Sequence, residues 1–425
     1  MNRYLRSILV LLLLQGVAWL TYRHLLSAPI TSLDDVAVLA DAQRQGALFG
    51  EMWRHVGTYF SQPLLQLVFL LEYRLFGLDP AGYYAVNIVL HGLNAMLVYL
   101  LANMLFAGQR IALPAALLFL LGVGHYSKPL MTIAGTESLL LTLFYLVVLF
   151  GLIRDDLHHG GRLTSRWFAL ALAVYLLAGL TRPASLAILL CLVAYKLFFY
   201  HTRGRRAVWS ANLWVLLLVG VGFSVAQQLW GYHEPLVRFR HPEGTVGVTL
   251  GSVKNIFRYL NLMVFPLQTS ELLTASGRLV RWFYEARHVI RALVSLAIVS
   301  FSFFGFVFGN RPLRFFIAWT YLTVVPFAAL SHPGDWLNIQ YLYMAAVGLD
   351  VVIAVGTVGA VSLLARHPRK RWVPALAPLV LVAMSLSVHF RLHARNLVRA
   401  HQPQMQEAVQ QLQAAAPASL PARRP

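Results

Sequence analysis

Residues 59–101 read YFSQPLLQLVFLLEYRLFGLDPAGYYAVNIVLHGLNAMLVYLL. Two kinds of apolar segment meet in this stretch. From about residue 58 to 77 the apolar run is interrupted by polar and charged residues, so it is expected to lie at a membrane surface or to re-enter. From about 83 to 106 no charge interrupts it, and it is long enough to cross a bilayer, which takes roughly 20 residues of helix. Asn87, His91 and Asn94 recur about one helical turn apart. They form a polar stripe whose expected role is hydrogen bonding to neighbouring helices.

The rest of the chain repeats the second kind of segment. It is 58% hydrophobic and 12% charged over 425 residues, where a soluble domain averages about 25% charged. Spans are expected near 6–26, 83–106, 111–126, 134–153, 167–180, 184–200, 211–229, 288–308, 315–331, 340–364 and 373–390, about eleven in all. In hydrocarbon the backbone must pair with itself, and no alternating strands of barrel length are visible, so the spans are helices. The expected fold class is an all-α polytopic membrane protein. A second interrupted apolar stretch, about 253–268, is expected to behave like 58–77. The first hydrophobic segment, about Leu5 to Leu26, is read as a retained span, because Pro29 suits cleavage poorly.

Charge gives the orientation. The chain has 35 Lys plus Arg against 16 Asp plus Glu, a net +19. Alternate connections carry Arg110; Arg154, Arg162 and Arg166; Arg203, Arg205 and Arg206; Arg311 and Arg314; and Arg366, Arg369, Lys370 and Arg371. The opposite short connections carry only Lys128 and Arg182. The positive-inside rule then puts the N-terminus in the cytoplasm. Two long outer loops follow, 27–82 and 230–287, and the transmembrane domain covers 1–391. Residues 392–425 form an outer-face tail, expected as a short helix and then disorder. A bacterial inner membrane is the expected location. The basic excess belongs to loops rather than to a soluble basic domain, so nucleic acid is not an expected partner.

Scarce acids collect on the outer side. Asp34 and Asp35 stand together in SLDDVAVLADAQ, just after the first span. One reading is local: Ser or Asp caps a short amphipathic helix, whose N-terminus favours acids. The other is chemical: a carboxylate takes a proton from an attacking group while Arg or Lys holds a phosphate. The two readings are compatible. RDDLHHGG, Arg154–Gly161, looks like a metal site, but it falls in a cytoplasmic loop without further ligands and is not expected to ligate. The single cysteine, Cys191, is expected to be a buried small apolar residue.

With these residues in place, the opening stretch resembles the signature of GT-C membrane glycosyltransferases. The nearest are those related to protein O-mannosyltransferases and to the transmembrane/tetratricopeptide-repeat O-mannosyltransferases. Phe76, Gly77, Leu78, Pro80, Tyr83, Asn87, His91, Asn94 and Ala95 fit that run, with Tyr84 where the family has His. Weaker similarities follow in order: IAGTESLL (Ile133–Leu140), LTRPASL (Leu180–Leu186), YLNLMVFPLQTS (Tyr259–Ser270) and QYLYMAAVGL (Gln340–Leu349). The chain departs from the pattern at three places. The acid usual in the second outer loop is replaced near Lys128, the Lys-Glu pair becomes Arg182-Pro183, and the Arg before YLY becomes Gln340. No tetratricopeptide repeats follow.

The resemblance implies a GT-C-like fold with amphipathic surface helices in the first outer loop. It implies a polyprenyl-phosphate sugar donor entering from the membrane lipids, and a protein, lipid or glycan acceptor on the outer face. The family's first-loop Asp serves as base, which here is Asp34, with Asp35 beside it. Arg182, Lys128 and Arg258 are the candidates to hold the donor phosphate. His125, Glu137 and Gln340 are further site candidates. Some relatives bind a divalent cation, for which two carboxylates are too few ligands; no metal ligand is assigned and no cofactor is certain. Two other functions stay open: a lipid or glycolipid transporter or flippase, and a surface-polysaccharide ligase or polymerase. The long 230–287 loop suits the ligase, and the lack of visible inverted repeats goes against the transporter.

Overall fold

A computed structural model describes residues 3–30, 32–47, 63–106, 109–122, 129–181, 186–201, 208–229, 250–264, 287–328, 342–366, 380 and 403–415. Among these residues every regular element is helical. In chain order the helices are α1 (Arg3–Tyr22), α2 (Leu33–Ala47), α3 (Pro63–Phe76), α4 (Pro80–Leu105) and α5 (Gln109–Leu121). Then come α6 (Thr136–His159), α7 (Arg166–Thr181), α8 (Leu186–Tyr200), α9 (Ala211–Leu229) and α10 (Leu250–Val264). The last are α11 (Arg287–Phe308), α12 (Arg311–Ala328), α13 (Leu342–Ala365) and α14 (Pro403–Ala414). Short 3-10 turns occupy Arg23–Ser27 and Ile133–Gly135.

Five stretches are long and apolar enough to span a membrane: Tyr4–Ser27, Pro80–Leu105, Ile133–His159, His288–Phe308 and Leu342–Ala365. Shorter apolar helices lie at Arg110–Leu121, Arg166–Thr181, Ile188–Tyr200 and Ala211–Phe223. Nearly all of the expected last span, 373–390, lies outside the described residues. Large apolar side chains stay exposed along α1 (Leu5, Ile8, Leu12) and α11 (Leu293, Phe301, Phe304). Rows of this kind are unfavourable in water and natural against lipid. The chain is an integral membrane protein.

The main core joins α1, α4, α5, α6, α7, α8, α9, α12 and α13. Its centre is the polar stripe of α4. The carbonyl of Leu120 can only accept, so His91 donates to it from Nε2 at 3.1 Å. His91 Nδ1 then accepts from the Tyr343 hydroxyl at 2.7 Å, and that oxygen in turn accepts from Asn94 Nδ2 at 3.2 Å. Tyr22 donates to the same Leu120 carbonyl at 2.6 Å. Leu120 stands in the last turn of α5, where helix carbonyls lack an intrahelical partner. The stripe thus ties α1, α5 and α13 to α4, the interhelical role its spacing predicts. Close packing also fixes α12 to α13: a Cβ on Gly348 would lie 2.5 Å from the Phe316 carbonyl oxygen, so a larger residue forces these helices apart.

At the far end of α6 the acids of RDDLHHGG are buried rather than exposed in a loop. Asp155 is 0% and Asp156 7% exposed. Lys196 of α8 meets Asp156 Oδ1 at 2.6 Å, and Asn212 of α9 donates to Asp155 at 2.9 Å and to Asp156 at 3.1 Å. This cluster clamps α6, α8 and α9. Among the described residues no group of three or more His, Cys, Asp or Glu is arranged to hold a metal. Cys191 is fully buried, as its apolar setting predicts.

Candidate active site

The FGLDP run of the opening stretch is a helix stop followed by a helix start. Gly77 takes φ 59° after α3, a conformation that favours glycine, and its N–H bonds to the Tyr73 carbonyl at 2.7 Å. Asp79 then caps α4 by accepting from Ala81 N–H at 3.1 Å, with Pro80 at the first helical position. Tyr83 closes the turn by donating to the Gly77 carbonyl at 2.8 Å. Helix α3 therefore folds back beside α4 instead of extending it.

This places α3 against α2, α4 and α7. Together with the Ile133–Gly135 turn and α14 these elements build a separate cap at the end where α4 and α6 begin. Ile30, Leu39, Ala42, Leu65, Phe69, Tyr73, Tyr83, Ile133 and Leu412 form its core. The C-terminal helix α14 belongs to it: Leu412 is buried there, and Gln43 of α2 donates to the Ala415 carbonyl.

The acidic pair heads α2. Ser32 is the capping residue; its Oγ accepts from Asp34 N–H at 3.2 Å and its carbonyl from Asp35 N–H at 3.0 Å. Both acids therefore sit in the first helical turn, where the helix dipole favours negative charge. They then diverge. Asp34 is exposed. Asp35 is 0% exposed, and its Oδ1 accepts from Ala134 N–H at 3.0 Å, in the turn that precedes α6. Glu137, half-buried, stands three residues further in the first turn of α6. The SLDD and IAGTE segments, 99 residues apart in sequence, thus meet at one point. Two further bonds hold them in place. Asn87 donates to the Thr132 carbonyl at 2.9 Å, and Tyr84 donates to the Pro29 carbonyl at 3.2 Å.

Gly135 is needed in this turn because a Cβ there would lie 2.1 Å from the Pro129 carbonyl oxygen. We expect Gly135→Ala to displace the turn, to separate Ala134 from Asp35, and to destabilise the cap by about 1–3 kcal/mol. Limited proteolysis of α2 checks this, as faster cleavage than in the wild type.

Asp35 is thus brought to the turn that precedes Glu137, and Asp34 heads the same helix. Arg258 is half-buried on α10, which packs with α11, α12 and α13 in a different group. His125, Lys128, Arg182 and Gln340 lie outside the described residues. Lys128 directly precedes the described Pro129, and Arg182 directly follows the buried Thr181.

Glu72 is a cap acid that the sequence reading placed outside without giving it a role. It is 5% exposed, and neither carboxylate oxygen has a hydrogen-bond partner among the described residues. Burial pushes its pKa up to about 8. In the unfolded chain it ionises near 4.5, so between these values the folded state holds a proton that the unfolded state has lost. Stability then falls as pH rises through that window, by up to about 1.4 kcal/mol per pH unit. Glu72→Gln should flatten this slope. Thermal unfolding of the solubilised protein from about pH 5 to about pH 9 reads the difference. A second such acid, Asp350, lies inside the candidate span of α13, 7% exposed, with no partner at Oδ2 among the described residues. Ionisable groups at such depth are uncommon in membrane helices and usually functional.

The all-helical fold of this chain is GT-C-like, similar to that of solved membrane proteins. The oligosaccharyltransferase of Archaeoglobus fulgidus, tethered with an acceptor peptide, superposes with a TM-score of 0.50 at 15% identity, covering 99% of this chain and 61% of that one. ArnT from Cupriavidus metallidurans bound to undecaprenyl phosphate gives a TM-score of 0.48 at 17% identity, covering 96% and 78%. In sequence, the protein O-mannosyl-transferase Tmtc1 of Drosophila melanogaster is 30% identical over 190 residues. That match covers 41% of this chain and 21% of the fly protein. No protein-family model matches the chain.

Proposed function

We propose that this protein transfers a sugar from a polyprenyl-phosphate donor to a hydroxyl-bearing acceptor at the outer face of a bacterial inner membrane. The observation that carries the reading is the split of the acidic pair: Asp35 anchored to the turn before α6, Asp34 exposed beside it. An anchored neighbour fixes the helix that presents the exposed carboxylate, which is what a positioned base requires. The fold, and the partial sequence likeness to an O-mannosyl-transferase, support the same class.

Asp34 accepts the acceptor's hydroxyl proton as its oxygen attacks the anomeric carbon. The new C–O bond forms while the bond from that carbon to the phosphate oxygen breaks, and the electron pair leaves with polyprenyl phosphate. Attack opposite the leaving group inverts the anomeric centre. The phosphate gathers charge as it departs and needs cations beside it. Arg182 and Lys128 suit that role because each adjoins an element of the site in sequence. Arg258, in the α10 group, suits it less. A divalent cation would find too few ligands among the described acids, and no step is routed through one.

Donor dependence tests the reading. Membranes containing the protein should pass label from a polyprenyl-phosphate hexose into a covalent product and should not do so from a nucleotide sugar. Movement of labelled lipid across the bilayer without a new covalent product would instead mark a transporter.

A further inference from the structure

Glu72 is not the only unmatched polar group inside the cap. Tyr73, its neighbour on α3, is also 5% exposed, and its hydroxyl likewise lacks a hydrogen-bond partner among the described residues. Buried polar groups in native proteins are nearly always paired, and an unpaired one calls for a water, ion or ligand. Here three such atoms, Glu72 Oε1 and Oε2 and the Tyr73 hydroxyl, occur on consecutive residues. Their position is informative. Helix α3 packs on α2, which carries Asp34, and on α7, whose last residue Thr181 precedes Arg182. Because α7 returns antiparallel to α6, its Thr181 end lies on the side where α6 begins. The two groups thus belong to an element packed both on the helix that carries the proposed base and on the helix that ends at Thr181.

We propose that Glu72 and Tyr73 form a hydroxyl-binding subsite for the sugar of the lipid-linked donor. The inference rests on the donor reading above and adds the residues that recognise the sugar. A neutral carboxyl donates from one oxygen and accepts at the other, and a phenol does both. The pair therefore matches vicinal sugar hydroxyls, which also donate and accept. Such a site leaves its own groups unpaired when a hydroxyl is absent or inverted, so it discriminates epimers more sharply than an apolar pocket.

Binding by the full-length protein tests this without requiring transfer. The probes are short-chain isoprenyl-phosphoryl mannose, glucose and galactose, and the same isoprenyl phosphate without sugar, read by quenching of intrinsic tryptophan fluorescence. The wild type should bind at least one sugar-bearing probe about tenfold more tightly than the bare phosphate. Glu72→Leu and Tyr73→Phe should bring that ratio close to one and leave the affinity for bare phosphate unchanged. Glu72→Gln, which still donates and accepts, should keep most of the preference. Retention of the wild-type ratio in both Glu72→Leu and Tyr73→Phe overturns the subsite while leaving the donor reading intact. Binding of no probe by the wild type overturns both.

Discussion

Lys196→Met should destabilise the folded protein by about 3–5 kcal/mol, more than any other single change to the bundle considered above. Lys196 is 1% exposed and meets Asp156 at 2.6 Å, with Asp155 adjacent. Methionine matches its length and packs well, so the loss is electrostatic. Two buried carboxylates would remain with neutral donors such as Asn212 in place of a cation. The matched double variant, Lys196→Met with Asp156→Asn, removes one orphaned charge and should recover much of the loss. Chemical unfolding in detergent, followed by tryptophan fluorescence, reads both. Equal stability of wild type and Lys196→Met would mean that Lys196 and Asp156 are both neutral in the fold.

Asp34→Asn should lower the turnover number by about 10²–10⁴, the range typical of a lost general base, with the protein folded as before. Its side chain is exposed, and Asn still suits the start of a helix. Asp35 should behave differently. Asparagine there keeps an oxygen for Ala134 N–H, while alanine leaves that donor unpaired in a partly buried place. Asp35→Ala should therefore cost about 1–3 kcal/mol of stability. The contrast separates the two adjacent acids. One variant loses chemistry without stability, and the other loses stability first. Turnover measured beside a melting curve for each variant distinguishes them.

How far the sequence carried this reading depends on the range of each interaction. The membrane helices and the stripe at Asn87, His91 and Asn94 follow from local periodicity, and the stripe makes the interhelical bonds that its spacing predicts. The cap was legible in part. Ser32 as the helix cap is a local signal, and the structure realises it. The meeting of Asp35 with Ala134 spans 99 residues and has no local signature. The same holds for α14, which returns from residue 403 to pack on α2. Asp155 and Asp156 read as loop acids because burial depends on α8 and α9, supplied later in the chain. Lys196 inside the apolar run LVAYKLFFY was a usable signal, since a cation in such a run needs a partner. Glu72 was visible as an interruption of an apolar stretch, but only packing against α2 and α4 makes it buried and neutral.

In the proposed reaction the acidic pair serves sugar transfer from a lipid phosphate, with Asp34 as base. Transfer from a labelled polyprenyl-phosphate hexose, compared between wild-type and Asp34→Asn membranes at matched expression, tests it most directly. The account predicts labelled covalent product from the wild type and at least a hundredfold less from the variant. Equal transfer by the two, or none by the wild type from any polyprenyl-phosphate sugar, would contradict it.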